Sequence, residues 1–312
     1  MYLGFVQVLV GMMYFLSFIM VMGGEEWFLV WAGLEVNMLG FVFLVASRMD
    51  SGGVEGVLKY FFVQALSSGL ILGGVIVGLM GLFEFALMVK VGAGPFYFWV
   101  PGVMMSFGWV ACFLLSSVQK ILPMLLLGEM GGVAMWCVAI VSLVVGVWGA
   151  FNQVVISKLM AYSTIHHVGW MLVALMVSKV LWWYYMLLYV LMLGVVFYGF
   201  MLEDEERVVM LAGKVMFTLS MMSMGGVPPM LGFYLKWVSF YYFMNEDLWV
   251  IGLMAFMSVI MLYVYLRIVL EGLLSNIGGS MWGVWLLGKM GFGVGFHIVG
   301  MMVGLGVFVL LG

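Results

Sequence analysis

Four ionisable residues sit in segments that are otherwise fit for hydrocarbon. Glu35 lies within WFLVWAGLEVNMLGFVFLV, Lys90 within MVKVGAGPFYFWVPG, Lys120 within FLLSSVQKILPMLLL and Lys236 within GGVPPMLGFYLKW. A charge at the centre of a membrane helix costs about 2.5–3.5 kcal/mol on insertion scales, so each needs a reason. The chemistry these residue types suit is proton transfer. Loss of water drives an amine toward its neutral form, and a carboxylate nearby restores the charge. Shifting that carboxylate by a few ångströms therefore switches a lysine between holding and releasing a proton, and lysine's flexible stem favours the exchange. His166 and His167 in AYSTIHHVGW extend the series. Adjacent helical positions point about 100° apart, so at most one is expected to face the lysines' channel. For either one, the competing reading is a satisfied core histidine, and His297 is expected to be structural. Two plainer readings compete for the charges. Lysines near helix ends can snorkel to the interface. A single structural Glu–Lys pair could tie two helices, but would leave two lysines unexplained.

The elements that must position these residues follow from composition. Of 312 residues, 67% are hydrophobic and 8% are charged, against about 25% charged in a soluble domain. Too little polar surface exists to cover a soluble globule. Long unbroken apolar runs exclude a β-barrel, whose strands alternate. The expected class is an all-α polytopic membrane helix bundle. At about 20 apolar residues per span, the chain divides into about eleven. They are placed at 4–22, 27–46, 58–80, 82–104, 107–128, 132–151, 154–178, 180–201, 209–243, 248–270 and 292–311. The fourth and ninth are expected to be broken, at Pro95 and Pro101 and at Pro228-Pro229 behind Gly225-Gly226, because proline removes a donor and clashes with the preceding turn. Arg48, Lys59, Lys158, Arg207, Lys214, Arg267 and Lys289 then share the N-terminal side, opposite Lys179. That bias puts the N-terminus in the cytoplasm-equivalent compartment. The acidic run Glu203 to Arg207 reads as a solvated loop on the same side.

Several functions are disfavoured. A net charge of −3 offers no basic face for nucleic acid. Cys112 and Cys137 lie in different apolar segments without CxxC spacing or nearby histidine, which fits two buried thiols better than a disulfide, zinc or an iron–sulfur cluster. No nucleotide, Walker or haem signature appears. The 34 methionines read as apolar packing, and GGVIVG at Gly73 as close helix contact. The start lacks the basic leader of a removable signal peptide. By itself the chain is expected to perform no redox chemistry.

The strings WAGLEVNMLGF, EGVLKYFFVQALSS, KVGAGPFYFWVPGV, QKILPMLLL, WGAFNQVVISKLMAYSTIHHVGW and GGVPPMLGFYLKW occur in an order that resembles the chain 2 family of NADH-ubiquinone oxidoreductase. That family comprises the mitochondrially encoded, antiporter-like subunits of respiratory complex I. The resemblance runs from about residue 27 to 270. It implies one antiporter-like transmembrane domain over 1–312, shortened at the N-terminus, in the mitochondrial inner membrane. It also implies proton translocation coupled to NADH:ubiquinone oxidoreduction. Neighbouring antiporter-like subunits and lipids would be its partners. NADH, FMN, iron–sulfur clusters and ubiquinone would be bound elsewhere in the complex. On this resemblance, Glu35 controls Lys90 electrostatically, Lys120 bridges the central axis, and Lys236 exchanges with a neighbouring subunit. Lys158 is the basic residue before the AYS segment, and His167 matches the family histidine. Tyr97 and Gly102 stand where the family often has a histidine and an acid. Two other functions compete: a stand-alone cation/proton antiporter, and a structural spacer that has lost pumping.

Overall fold

The structure, a computed structural model, describes residues 2–46, 53–132, 134–205, 210–228, 230–244 and 248–274. Among these residues every regular element is an α-helix. In chain order they are α1 (Tyr2–Gly23), α2 (Trp27–Ala46), α3 (Gly53–Val77), α4 (Met80–Val91), α5 (Trp99–Ser106), α6 (Trp109–Ser116) and α7 (Val118–Met130). They continue with α8 (Ala134–Phe151), α9 (Ile156–Val177), α10 (Lys179–Glu205), α11 (Met210–Gly225), α12 (Leu231–Phe243) and α13 (Leu248–Leu274). Helix is the form that satisfies each backbone group within its own segment, as hydrocarbon demands.

Helix occupies each of the ten segments expected before residue 274. Seven helices among the described residues are long and apolar enough to cross a membrane. The span expected at 292–311, with His297, lies outside the described residues, as do Arg48, Arg207 and Lys289. The fourth and ninth segments are broken as expected, into α4–α5 and α11–α12. The fifth is also broken, which was not expected. Ser117, at φ −113° and ψ −81°, separates α6 from α7. Its hydroxyl donates to the Phe113 carbonyl, which also accepts from the Ser117 N–H. Such back-bonding competes with the regular helical ladder.

Three further details correct the sequence reading. α3 begins at Gly53, a turn earlier than 58, and its first turn carries an i,i+4 ion pair, Lys59 Nζ to Glu55 Oε1 at 2.5 Å. α10 continues through Glu203–Glu205, so the acidic run is helical up to Glu205; glutamate is a good helix former and needs no loop. Cys112 and Cys137 are both free, and Cys137 is exposed rather than buried. An outward thiol behaves as a small hydrophobe, so an apolar surround tolerates it.

The chain forms two compact units, Met1–Met176 and Val177–Gly312. In the first, α1 packs on α2, α3 contacts α2, α4 and α5, and α4 rests on α7. α9 is buried along most of its length, with every residue from Leu159 to Leu175 buried except Tyr162. It meets α8 closely because Gly146 and Gly169 carry no side chain: a Cβ at Gly146 would stand 2.6 Å from the His166 backbone nitrogen, and one at Gly169 would stand 2.7 Å from Leu143 Cγ. In the second unit, α11 packs between α10 and α13, and α12 contacts α10 and α11.

Candidate proton-relay site

Lys90 lies in the last turn of α4, two residues before the break. Gly92 ends the helix at φ +72°, where its N–H reaches the carbonyls of Met88 and Val89 and Ala93 N–H reaches Met88. This is the glycine-dependent close of a helix, and it still leaves carbonyls without helical partners. Neighbouring helices satisfy them. Gln64 Nε2 of α3 donates to the Lys90 carbonyl at 3.1 Å, and Trp99 Nε1 of α5 donates to the Val89 carbonyl at 3.2 Å. Beyond the turn, Gly94 N–H donates to Ser142 Oγ of α8 at 2.9 Å. The break is therefore held by polar groups inside protein, the condition under which irregular backbone survives at membrane depth.

The lysines do not snorkel. Lys90, Lys120 and Lys236 are only 5%, 5% and 7% exposed. Lys120, three residues beyond the Ser117 break, donates from Nζ to the Thr164 carbonyl of α9 at 3.3 Å. Pro123 lies inside α7 and has no N–H to offer the carbonyl four residues earlier, that of Gln119. Lys90 and Lys120 open on one cavity of ≈10 Å³, with Tyr60, Gln64, Gln119 and Thr164. A second cavity of the same size is lined by Asn37, Tyr60, Gln64, Lys90, Gln119 and Pro123. Each has room for about one water molecule.

Glu35 lies on α2, among the helices that pack on α3. Its side chain is half-buried, and its Oε2 is buried without a hydrogen-bond partner. Asn37, also on α2, lines the second cavity and donates to Ser17 Oγ at 3.1 Å.

Both histidines are buried. His166 is engaged within its own helix, where its Nε2 accepts from Trp170 Nε1 at 3.2 Å. His167 is one turn beyond Thr164 on the same side of α9, three residues on. Lys158 occupies the first turn of α9 and is half-buried, away from the lysine cavities. Sequence reasoning noted Asn37 and missed Tyr60, Gln64, Gln119 and Thr164. Uncharged polar residues in the middle of apolar segments are the signal that marks them.

The second unit repeats the logic with the lysine on the other side of its break. α11 ends in the same glycine-dependent close: Gly226 has φ +82°, its N–H reaches the Met222 and Ser223 carbonyls, and Val227 N–H reaches Met222. Lys236, on α12, returns to donate to the Gly225 carbonyl at 2.8 Å. A helix C-terminus carries about half a negative charge, which attracts an ammonium. A Cβ on Gly226 would stand 3.1 Å from Lys236 Nζ. Gly226→Ala should therefore destabilise the chain by about 1–2 kcal/mol through the left-handed backbone alone, and should unseat the lysine. The check is a paired measurement of thermal stability and turnover in the assembled protein. Unchanged values of both would refute this account of the seat.

Among the described residues, no group of three His, Cys, Asp or Glu side chains could hold a metal ion. The chemistry that converges on the two cavities is amines, amides and hydroxyls.

Comparison with known proteins agrees with this arrangement. Residues 74–261, more than half of the chain, match the family described as NADH:quinone oxidoreductase/Mrp antiporter, transmembrane. NADH-ubiquinone oxidoreductase chain 2 of Anopheles gambiae is 32% identical, with 83% of each chain covered. The protein of the same name from Vulpes vulpes is also 32% identical, with 80% of each chain covered. A chain of respiratory complex I from Thermus thermophilus, solved with bound aureothin, superposes with a TM-score of 0.79. That match covers 96% of this chain and 78% of the other at 23% identity, a likeness of fold alone. Broken helices, buried lysines and matched sequence together make this chain a member of the NADH:quinone oxidoreductase/Mrp antiporter membrane family.

Proposed function

We propose that the chain is a proton-translocating, multi-pass membrane subunit of a respiratory NADH:ubiquinone oxidoreductase in the mitochondrial inner membrane. Other membrane subunits of that complex, antiporter-like neighbours among them, and lipids are its partners. The observation that carries the reading is the shared cavity of Lys90 and Lys120, two buried lysines that line one space with room for about one water. Glu35 sets the field at Lys90. A change of its charge, driven by quinone reduction elsewhere in the complex, alters whether Lys90 holds its proton. The proton passes to Lys120, which touches the α9 turn leading to His167. In the same unit Lys158 supplies positive charge at the start of α9, and in the second unit Lys236 exchanges with a neighbouring subunit. The two units act as one antiporter-like domain over 1–312. This chain contributes protonatable side chains and no redox group: NADH, FMN, the iron–sulfur clusters and ubiquinone belong to other parts of the assembly.

Gentle solubilisation separates this reading from its rivals. On a native gel the chain should migrate within a large assembly that oxidises NADH and reduces quinone. A chain that ran alone and exchanged a cation for protons in vesicles would be a stand-alone antiporter. One that ran with the assembly while the lysine variants pumped normally would be a spacer.

A further inference from the structure

Gln119 precedes Lys120 in sequence and lines both small cavities, which share four residues: Tyr60, Gln64, Lys90 and Gln119. Its Nε2 is buried and has no hydrogen-bond partner. Leaving a buried amide donor unpaired is costly, so a polar occupant of the cavity is favoured. Gln64 differs: its amide nitrogen is already committed to the Lys90 carbonyl. Pro123 adds an acceptor, since it cannot bond the Gln119 carbonyl within α7.

We propose that Gln119 is a positioning residue that orients a water molecule between Lys90 and Lys120. The proposal rests on the proton-relay reading above and deepens it. A water accepts two hydrogen bonds and donates two. Gln119 Nε2 donates to one lone pair and so fixes the oxygen. The second lone pair faces whichever lysine is an ammonium, and one O–H faces the lysine that is neutral. The ammonium of Lys90 then gives a proton to the water oxygen as the water gives one of its own to the Lys120 amine. One proton moves, the water is regenerated, and no electron is transferred. An amide suits the role because it does not titrate. It holds the water without competing for the proton, whereas a carboxylate would trap it.

The test uses the assembled NADH:quinone oxidoreductase carrying this chain. NADH-driven quinone reduction is measured in H2O and in D2O, with proton uptake into sealed vesicles. Gln119→Met keeps length and removes the donor. It should slow turnover about tenfold, as misplacement of a reacting group does, and should enlarge the solvent isotope effect because proton transfer becomes limiting. Gln119→Asn, which restores an amide, should recover much of the rate. A Gln119→Met complex with the parental rate overturns the proposal. So does a slow one whose isotope effect is unchanged, which marks a packing defect. If Gln119→Met does not assemble, the near-isosteric Gln119→Glu decides: slowed turnover with an enlarged isotope effect supports the proposal, and parental behaviour overturns it. A Lys120→Met complex run in parallel separates the two levels of the argument. If that variant is inactive and the Gln119 variants are normal, only the role of Gln119 falls. If it is fully active, the relay itself falls.

Discussion

Lys120→Met should leave the complex assembled and lower both quinone-coupled turnover and proton uptake about a hundredfold, the lower range for loss of a positioned acid–base group. Methionine matches the aliphatic stem closely and removes a buried polar head whose one described hydrogen bond goes to the Thr164 carbonyl. That carbonyl sits inside α9, where the helix's own ladder can use it, so little folding stability is at stake. Turnover should fall with pumping because a coupled machine cannot complete its redox cycle when a proton step is blocked. NADH oxidation and vesicle acidification, recorded side by side, check this. Normal rates of both would make the buried amine structural or bypassed. Loss of pumping with retained turnover would show that this subunit is uncoupled from the chemistry.

The second large effect concerns packing. At Gly146 a Cβ would stand 2.6 Å from the His166 backbone nitrogen and 2.8 Å from its Cα. These are backbone atoms, so no rotamer change relieves the contact and α8 must move away from α9. Overpacking a tight core typically costs about 1–3 kcal/mol. Gly146→Val should exceed that range, since it adds three carbons against a helix already buried from all sides. The expected result is a chain that fails to accumulate in the assembled complex, with Gly146→Ala giving a partial loss. Native-gel quantification of the assembly reads it out. Parental levels of the valine variant would mean that α8 and α9 are not in close contact.

The parts of this site that were legible in sequence were those with a local physical cause. Pro95 and the Gly225–Pro228 stretch announce broken helices because proline and glycine act on the backbone where they stand. Lys90, Lys120 and Lys236 announce themselves because charge is costly in an apolar segment. The Ser117 break has no such marker: its hydroxyl bonds back to Phe113, yet Ser142 makes the same bond inside the unbroken α8. Nor does sequence reveal that Tyr60 and Gln64 on α3, Gln119 on α7 and Thr164 on α9 converge, since their meeting depends on how helices pack. The histidines illustrate the same limit. Angular spacing separates His166 from His167, but only Trp170, one turn away, reveals that His166 is already engaged. Cys137 was misjudged because burial statistics from soluble proteins do not apply where the outer surface meets hydrocarbon.

The carbonyl that receives Lys236 has a consequence for how such a protein works in a compartment whose acidity changes continually. Most buried cations are balanced by a carboxylate, which can itself be neutralised by a proton. Here the balancing group is the free end of a peptide array, fixed in place by the glycine turn at Gly226. A carbonyl has no proton to take up over any physiological range, so its pull on the ammonium is constant. It behaves as a fixed electrode, and the group that titrates in this hydrogen bond is the lysine. Peptide dipoles at a helix end can thereby receive a buried ammonium in a chain with just 14 acidic residues.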